Sequence, residues 1–283
     1  MGRWRSEVTS QPIADDGTQP LSLLTWRRLL APCIRRHLCI LSLCLVTCYG
    51  CMAAHRQGVK VKPAKEHYTR ALQYLSIGAG EEAVKELNEA VKIEPTNTEF
   101  HNLLAFAYHY EGRYEFALTH YRKALKLAPA YAEAHVNLAA LYLDLGRWDD
   151  AVTQGREALK ITTYQSPEKA YNNMGLAYMG KGDLISARRA FRDALTFHDN
   201  FPEAHRNLGT IYFQQGQVED AIREFREALR LRPNYAEAVH DLGVAYLERG
   251  RKAEAVTQFQ KVIQLDPESE LAEKAKLHLG TLQ

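Results

Sequence analysis

Thiols are missing from most of this chain. Its five cysteines, Cys33, Cys39, Cys44, Cys48 and Cys51, all fall within residues 33–51, and the 232 residues that follow contain none. A body without thiols suits an oxidising compartment, where a stray thiol would mispair. An excess of either charge is missing as well. Against 36 Lys and Arg stand 34 Asp and Glu, a formal net charge of +2, which makes no electrostatic case for nucleic acid as the partner. No apolar run reaches the ~20 residues that a comfortable membrane span requires. Catalytic and metal patterns are lacking too. The cysteines are confined to the N-terminal stretch and no His-x-Glu-x-x-His motif occurs, so no metal site has usable spacing. Gly180 and Gly182 follow no strand and belong to a turn, not to a phosphate loop. The expectation is a chain with no catalytic residues, no metal and no bound cofactor.

What is present is a folded-protein composition, 46% apolar and 25% charged, organised by one repeated unit. The clearest copy is residues 202–235. His205, Leu208, Gly209 and Tyr212 recur at helical spacing; Gly216 permits a turn; Ala221, Phe225 and Ala228 recur again; Pro233 stops the second helix. Small Gly209 and Ala228 alternate with large Tyr212 and Phe225, which lets two helices close on each other. The period is 34 residues, and the pattern resembles the tetratricopeptide repeat. A single copy cannot bury its faces, so copies must stack. Six are legible, starting at Ala64, Thr98, Ala132, Glu168, Pro202 and Ala236. The spacing predicts an all-α solenoid of six helix pairs over 64–269, closed by a capping helix at 270–283.

The array has one irregularity. Between the third and fourth copies two extra residues appear, Thr163 stands where a proline is expected, and Gly155 replaces the large residue of the second helix. Ser166 is placed to cap the next helix and Pro167 suits its first position.

Ahead of the array, residues 1–26 show no periodicity. Arg27, Arg28, Arg35, Arg36 and His37 then precede an apolar run at 38–51 that ends in cysteine. A cationic segment followed by about a dozen apolar residues has the layout of a secretory signal. Residues 1–51 are therefore read as a leader and signal, and 52–63 as a basic tether ending in Pro63. The signal resembles that of bacterial lipoproteins, with Gly50 before Cys51. That resemblance implies a covalent lipid on Cys51, with Cys48 as second choice. It implies outer-membrane placement facing the periplasm, since Met52 and not Asp follows Cys51. The alternative is an uncleaved signal anchor in the inner membrane.

Six repeats behind such a signal, with Tyr164, Pro167, Glu168, Ala170, Tyr171 and Asn173 at the irregular joint, resemble the type IV pilus biogenesis lipoproteins. The resemblance implies a pilotin: a lipid-anchored protein that assists secretin subunits to insert and multimerise in the outer membrane. The implied partner is a secretin subunit or another pilus-assembly component. A generic exported scaffold for another envelope complex is the competing reading.

Within the repeat, His67, His101, His135 and His205 share the fourth position. Copies of one position lie ~10 Å or more apart, too far to share a metal, so packing is expected of them. Positions 2, 6, 9 and 13 of each first helix share one stripe on the predicted concave wall. Position 6 carries Asn137, Asn173, Asn207 and Asp241, and such side chains can pair with the backbone of an extended peptide. Phe106, Tyr110, Leu143, Met179 and Phe213 nearby are candidate apolar anchors. Replacing Asn173 and Asn207 by Ala is expected to weaken partner binding and leave the melting temperature nearly unchanged.

Overall fold

The computed structural model describes residues 63–282. The leader, the signal-like run with Cys48 and Cys51, and nearly all of the tether lie outside the described residues. Within them are thirteen helices and no strand. They pair as α1 (Pro63–Ser76) with α2 (Gly80–Ile93), α3 (Thr98–Tyr110) with α4 (Tyr114–Leu127), and α5 (Ala132–Asp144) with α6 (Trp148–Leu159). The second three pairs are α7 (Pro167–Gly180) with α8 (Leu184–Phe197), α9 (Pro202–Gln214) with α10 (Val218–Leu231), and α11 (Ala236–Glu248) with α12 (Lys252–Leu265). The last helix, α13 (Glu270–Leu282), stands alone. The chain is an all-α solenoid of the predicted kind. Pro63, read from sequence as the end of the tether, instead opens α1, where a missing N–H costs nothing.

Each pair is closed by the same turn. Gly78, Gly112, Gly146, Gly182, Gly216 and Gly250 all have φ between +67° and +78°, a region that side chains disfavour. In the second pair Gly112 N–H donates to His109 C=O (3.0 Å) and Arg113 N–H to Tyr108 C=O (2.8 Å). This is the Schellman arrangement, which satisfies the orphan carbonyls at the end of α3. The same two bonds recur at Gly146, Gly182, Gly216 and Gly250.

Packing inside a pair is a small residue against a ring. A Cβ added at Gly175, Gly209 or Gly243 would meet the ring of Phe191, Phe225 or Phe259 at 2.6, 2.7 and 2.8 Å. The helices approach that closely only because position 8 has no side chain. The rings are fully or almost fully buried. Between pairs, successive first helices touch one another from the second repeat onward, whereas contact between successive second helices is negligible. First helices therefore line the inside of the curve and second helices its outside. α13 covers the open end of the last pair through Leu271, Ala275, Leu279 and His278, whose ring stacks on Phe259 at 4.7 Å.

The joint between the third and fourth repeats differs. α6 spans 12 residues where the other second helices span 14. Its Gly155 leaves a space that Met174 of the next repeat fills, with Met174 Cγ 2.5 Å from where a Cβ would lie. Tyr164 and Ile161 from the longer connection pack with Ala132, Val136, Ala158 and Ala170. Pro167 stands in the first turn of α7 as expected, but the Ser166 side chain makes no capping bond. No helix among the described residues is long and apolar enough to cross a membrane.

Candidate functional site: the inner wall

The inner wall is built by α3, α5, α7, α9 and α11, and the predicted row at position 6 lies between them. The structure shows what each member does there. Asn137 Nδ2 donates to Asn102 Oδ1 (3.2 Å), Asn173 Nδ2 to the Val136 carbonyl (3.1 Å), and Asn207 Nδ2 to Asn172 Oδ1 (3.0 Å). Asp241 accepts from Arg206 Nε at 2.8 Å. In every case position 6 of one repeat reaches back to position 5 of the preceding one. The row is thus a set of staples between repeats. Asn207 (3% exposed) and its partner Asn172 (4%) are buried, so this pair is spent on packing and presents nothing to a ligand. Asn137 and Asn173 are half-buried. Each uses a donor in its staple, which leaves the acceptor capacity of its carbonyl oxygen unspent on that staple.

The partners Asn102, Asn172 and Arg206 were not singled out from sequence. The signal was available in the position-5 column, where each polar residue complements position 6 of the next repeat. What hid it is that one position apart on a helix is normally another face. Only the angle between successive first helices brings the two columns together.

The apolar candidates divide. Phe106, Leu143, Met179 and Phe213 are half-buried. Met179 packs with the cluster around Phe191 and Leu208, and Phe213 with the cluster around Phe225 and Val239. Tyr110 goes elsewhere. Its ring edge lies 2.9 Å from where a Cβ would stand on Gly80, and its hydroxyl 3.4 Å from the same point on Gly78. It covers the first turn, because position 13 falls at the end of α3 beside the preceding pair.

The fourth-position histidines are clamps. Nδ1 of His67, His135 and His205 bonds Glu86 (2.7 Å), Gln154 (2.7 Å) and Glu224 (2.8 Å), each 19 residues on in the second helix. Nε2 of His135 and His205 bonds the carbonyls of Pro129 (3.0 Å) and Asp199 (3.1 Å). Both neighbours of His205 are acceptors, so only the charged ring donates to both. Burial opposes that charge, yet the Glu224 carboxylate and the Asp199 carbonyl outweigh it and hold the pKa above the usual value. His101 departs from this. Its Nε2 bonds the Pro95 carbonyl, but its Nδ1 faces Nδ1 of His120 at 3.0 Å. Burial, and then the nearby His101, push His120 down to about 4. Among the described residues no group of three or more His, Cys, Asp or Glu is disposed to hold a metal ion. The inner wall offers hydrogen-bond acceptors and half-buried apolar side chains, which is the chemistry of binding a polypeptide.

Such a wall on stacked helix pairs defines a repeat scaffold that acts by protein–protein contact. Family models agree. Tetratricopeptide-repeat models match residues 71–111, 107–146, 132–163, 172–236 and 207–270. The chain belongs to the tetratricopeptide-repeat proteins. Among curated protein sequences none matches it. Solved structures of similar shape include PilF of Pseudomonas aeruginosa, 19% identical with a TM-score of 0.64, covering 76% of this chain and 97% of that one. PilW, described as a widely conserved type IV pilus biogenesis factor, is 21% identical with a TM-score of 0.67, covering 76% of this chain and 98% of that one. The Cut9–Hcn1 assembly of the APC/C also matches, at 19% identity and a TM-score of 0.67, over 75% of this chain and 42% of that one. In all, 468 chains share the shape, so the shape establishes the fold and the client must come from the site.

Proposed function

We propose that this protein is a lipid-anchored scaffold of the bacterial cell envelope that assists assembly of the type IV pilus secretin in the outer membrane. The observation that carries the reading is the displaced joint. The Tyr164–Asn173 segment is where the sequence resembles the pilus biogenesis lipoproteins, and the array around it overlays nearly the whole of PilF and PilW. In this reading Cys51, or Cys48 in second place, carries the lipid and holds the array at the inner face of the outer membrane. Asn137, Asn173, Phe106, Met179 and Phe213 contact an extended segment of a secretin subunit. Asp241 and Asn207 keep the wall in register.

Deleting the gene tests this directly. Loss of secretin multimers and of twitching motility is the expected result, and intact multimers would overturn the pilus assignment. Metabolic labelling with a lipid precursor, comparing Cys51→Ser with Cys48→Ser, locates the anchor; absence of label from the wild-type chain removes it. A second reading is an exported scaffold for a different envelope complex, since a fold shared by 468 chains does not name a client. That reading gains if secretin assembly survives deletion while an envelope protein is still captured through the inner wall.

A further inference from the structure

The outer wall carries a charge pattern that the inner-wall function does not use. Each second helix presents positions 22, 25 and 29 on one face, since they are three and four residues apart. Across the first five repeats those fifteen positions hold eleven Lys or Arg, four neutral residues and no acid, and all but one of the fifteen are exposed. The chain as a whole is nearly neutral, so composition does not force this segregation. Part of it is local. Acids such as Glu157, Asp193 and Glu227 on the neighbouring face pair with some of these cations within the same helix. Cations near a helix C-terminus also complement the dipole.

Five are left over: Arg122, Lys126, Arg156, Arg192 and Arg226 make no ion pair with a carboxylate among the described residues, and Lys123, beside the stripe, makes none either. Arg122, Lys123 and Lys126 sit together on α4, whose one acid, Glu115, lies in the opposite, first turn. Arg156 and Arg192 are steered by the next repeat, donating to the Tyr178 hydroxyl (3.0 Å) and the Tyr212 hydroxyl (2.7 Å). Position 25 is thus an arginine in four consecutive repeats. These form a row across the outside of the curve, opposite the wall that binds the partner.

We propose that this row is a docking surface for an anionic phospholipid bilayer. A convex wall meets a plane along a line, and a row with one cation per repeat supplies a charge at each step of that line. The stripe at positions 22, 25 and 29 holds no aromatic residue, so it lacks the stacking groups that single-stranded nucleic acid requires. The inference rests on the membrane-held reading above and extends it. An anchor at the end of a tether leaves the orientation of the array open, and a basic surface supplies a second contact that fixes which wall meets the headgroups. With the outer wall against the headgroups, the inner wall faces away from the bilayer and is open to its client.

The test is flotation of the full chain with vesicles of phosphatidylcholine alone or with about a third phosphatidylglycerol, at low and high salt. Wild type is expected to bind the anionic vesicles at least roughly tenfold more tightly, with the excess lost in high salt. Arg122→Glu, Lys123→Glu and Lys126→Glu combined are expected to abolish that excess with unchanged helical content. A Cys48→Ser, Cys51→Ser chain separates the two readings. If it still prefers anionic vesicles, the row stands even if the anchor falls. If wild type binds both vesicles equally and charge reversal changes nothing, the row is overturned while the anchor can hold. Duplex DNA competing at the same row, with equal sensitivity to charge reversal, would also overturn the bilayer assignment.

Discussion

Two joints in this molecule solve one packing problem in opposite ways. In the fifth repeat the ring of Phe225 comes from the second helix and lies on Gly209 of the first. In the third, the second helix offers only Gly155, and the volume is supplied from the next repeat by Met174. The ring belongs to its own pair and makes that pair rigid. The methionine belongs to the neighbour, so it ties two repeats together instead. Its thioether is adaptable where the ring is not. The consequence is visible in the spacing. The turn glycines are 34 residues apart except between Gly146 and Gly182, which are 36 apart. α5 and α7 also make the most extensive contact of any successive first helices. Asn173 correspondingly reaches a backbone carbonyl, where its counterparts Asn137 and Asn207 reach side chains.

Removing the filler breaks the comparison most strongly. Phe225→Ala should cost ~3–5 kcal/mol in chemical denaturation, and Met174→Ala less, ~2–4 kcal/mol, because a joint closed by a flexible side chain collapses more easily. Adding a methyl on the other side sharpens it. Gly209→Ala drives a Cβ into the Phe225 ring and should cost ~1–3 kcal/mol. Gly155→Ala meets Met174, which can swing, and otherwise only touches the Ala170 carbonyl at 3.4 Å, so the loss should stay below ~1 kcal/mol after the gain in helix propensity. Equal losses at the two glycines would show that the joints are equally rigid.

The staples differ in the same way. Asn207→Ala orphans the buried Asn172 oxygen and should cost ~1–3 kcal/mol. Asn173→Ala, half-buried, should leave the melting temperature nearly unchanged and weaken client binding in a titration. The sequence-based expectation that both substitutions spare stability is therefore kept as a prediction for Asn173 and revised for Asn207, whose burial was not visible in its helical position. Tyr121 occupies the place of Phe225 in the second repeat, and its fully buried hydroxyl has no hydrogen-bond partner among the described residues. Tyr121→Phe should raise stability by ~1 kcal/mol.

The smallest expected effect is on pH. His120 and His278 are both held below the usual 6.5, His120 by burial and then His101, His278 by burial and then His240. Neutral rings in the native state stabilise it fully above pH 6.5, and this is lost as pH falls toward about 4. His205, raised above 6.5, acts oppositely: its contribution is present below that pH and vanishes as pH rises through its folded value. With two rings against one, calorimetry should show the melting temperature falling by about 2–4 °C between pH 7 and pH 5. His120→Gln should flatten that dependence.

Much of this was legible in the residues. The six glycine turns, the small–large pairs such as Gly209 with Phe225, and the structural use of His135 and His205 follow from a period of 34 residues and helix geometry. The joint after the third repeat was marked by Thr163 and Gly155, though that Met174 fills the space was not. Tyr110 and Asn207 were placed on the right stripe and given the wrong neighbours, because periodicity assigns a face of one helix and says nothing about the next helix laid against it.

The sequence by itself determined the repeat, its number, its turns and which helix of each pair lines the inside, since these depend on contacts within about one repeat. Only the tertiary structure decided which inner-wall side chains remain open. That depends on the angle at which one first helix crosses its predecessor, and a shift of one position there turns a ligand-facing amide into a buried staple.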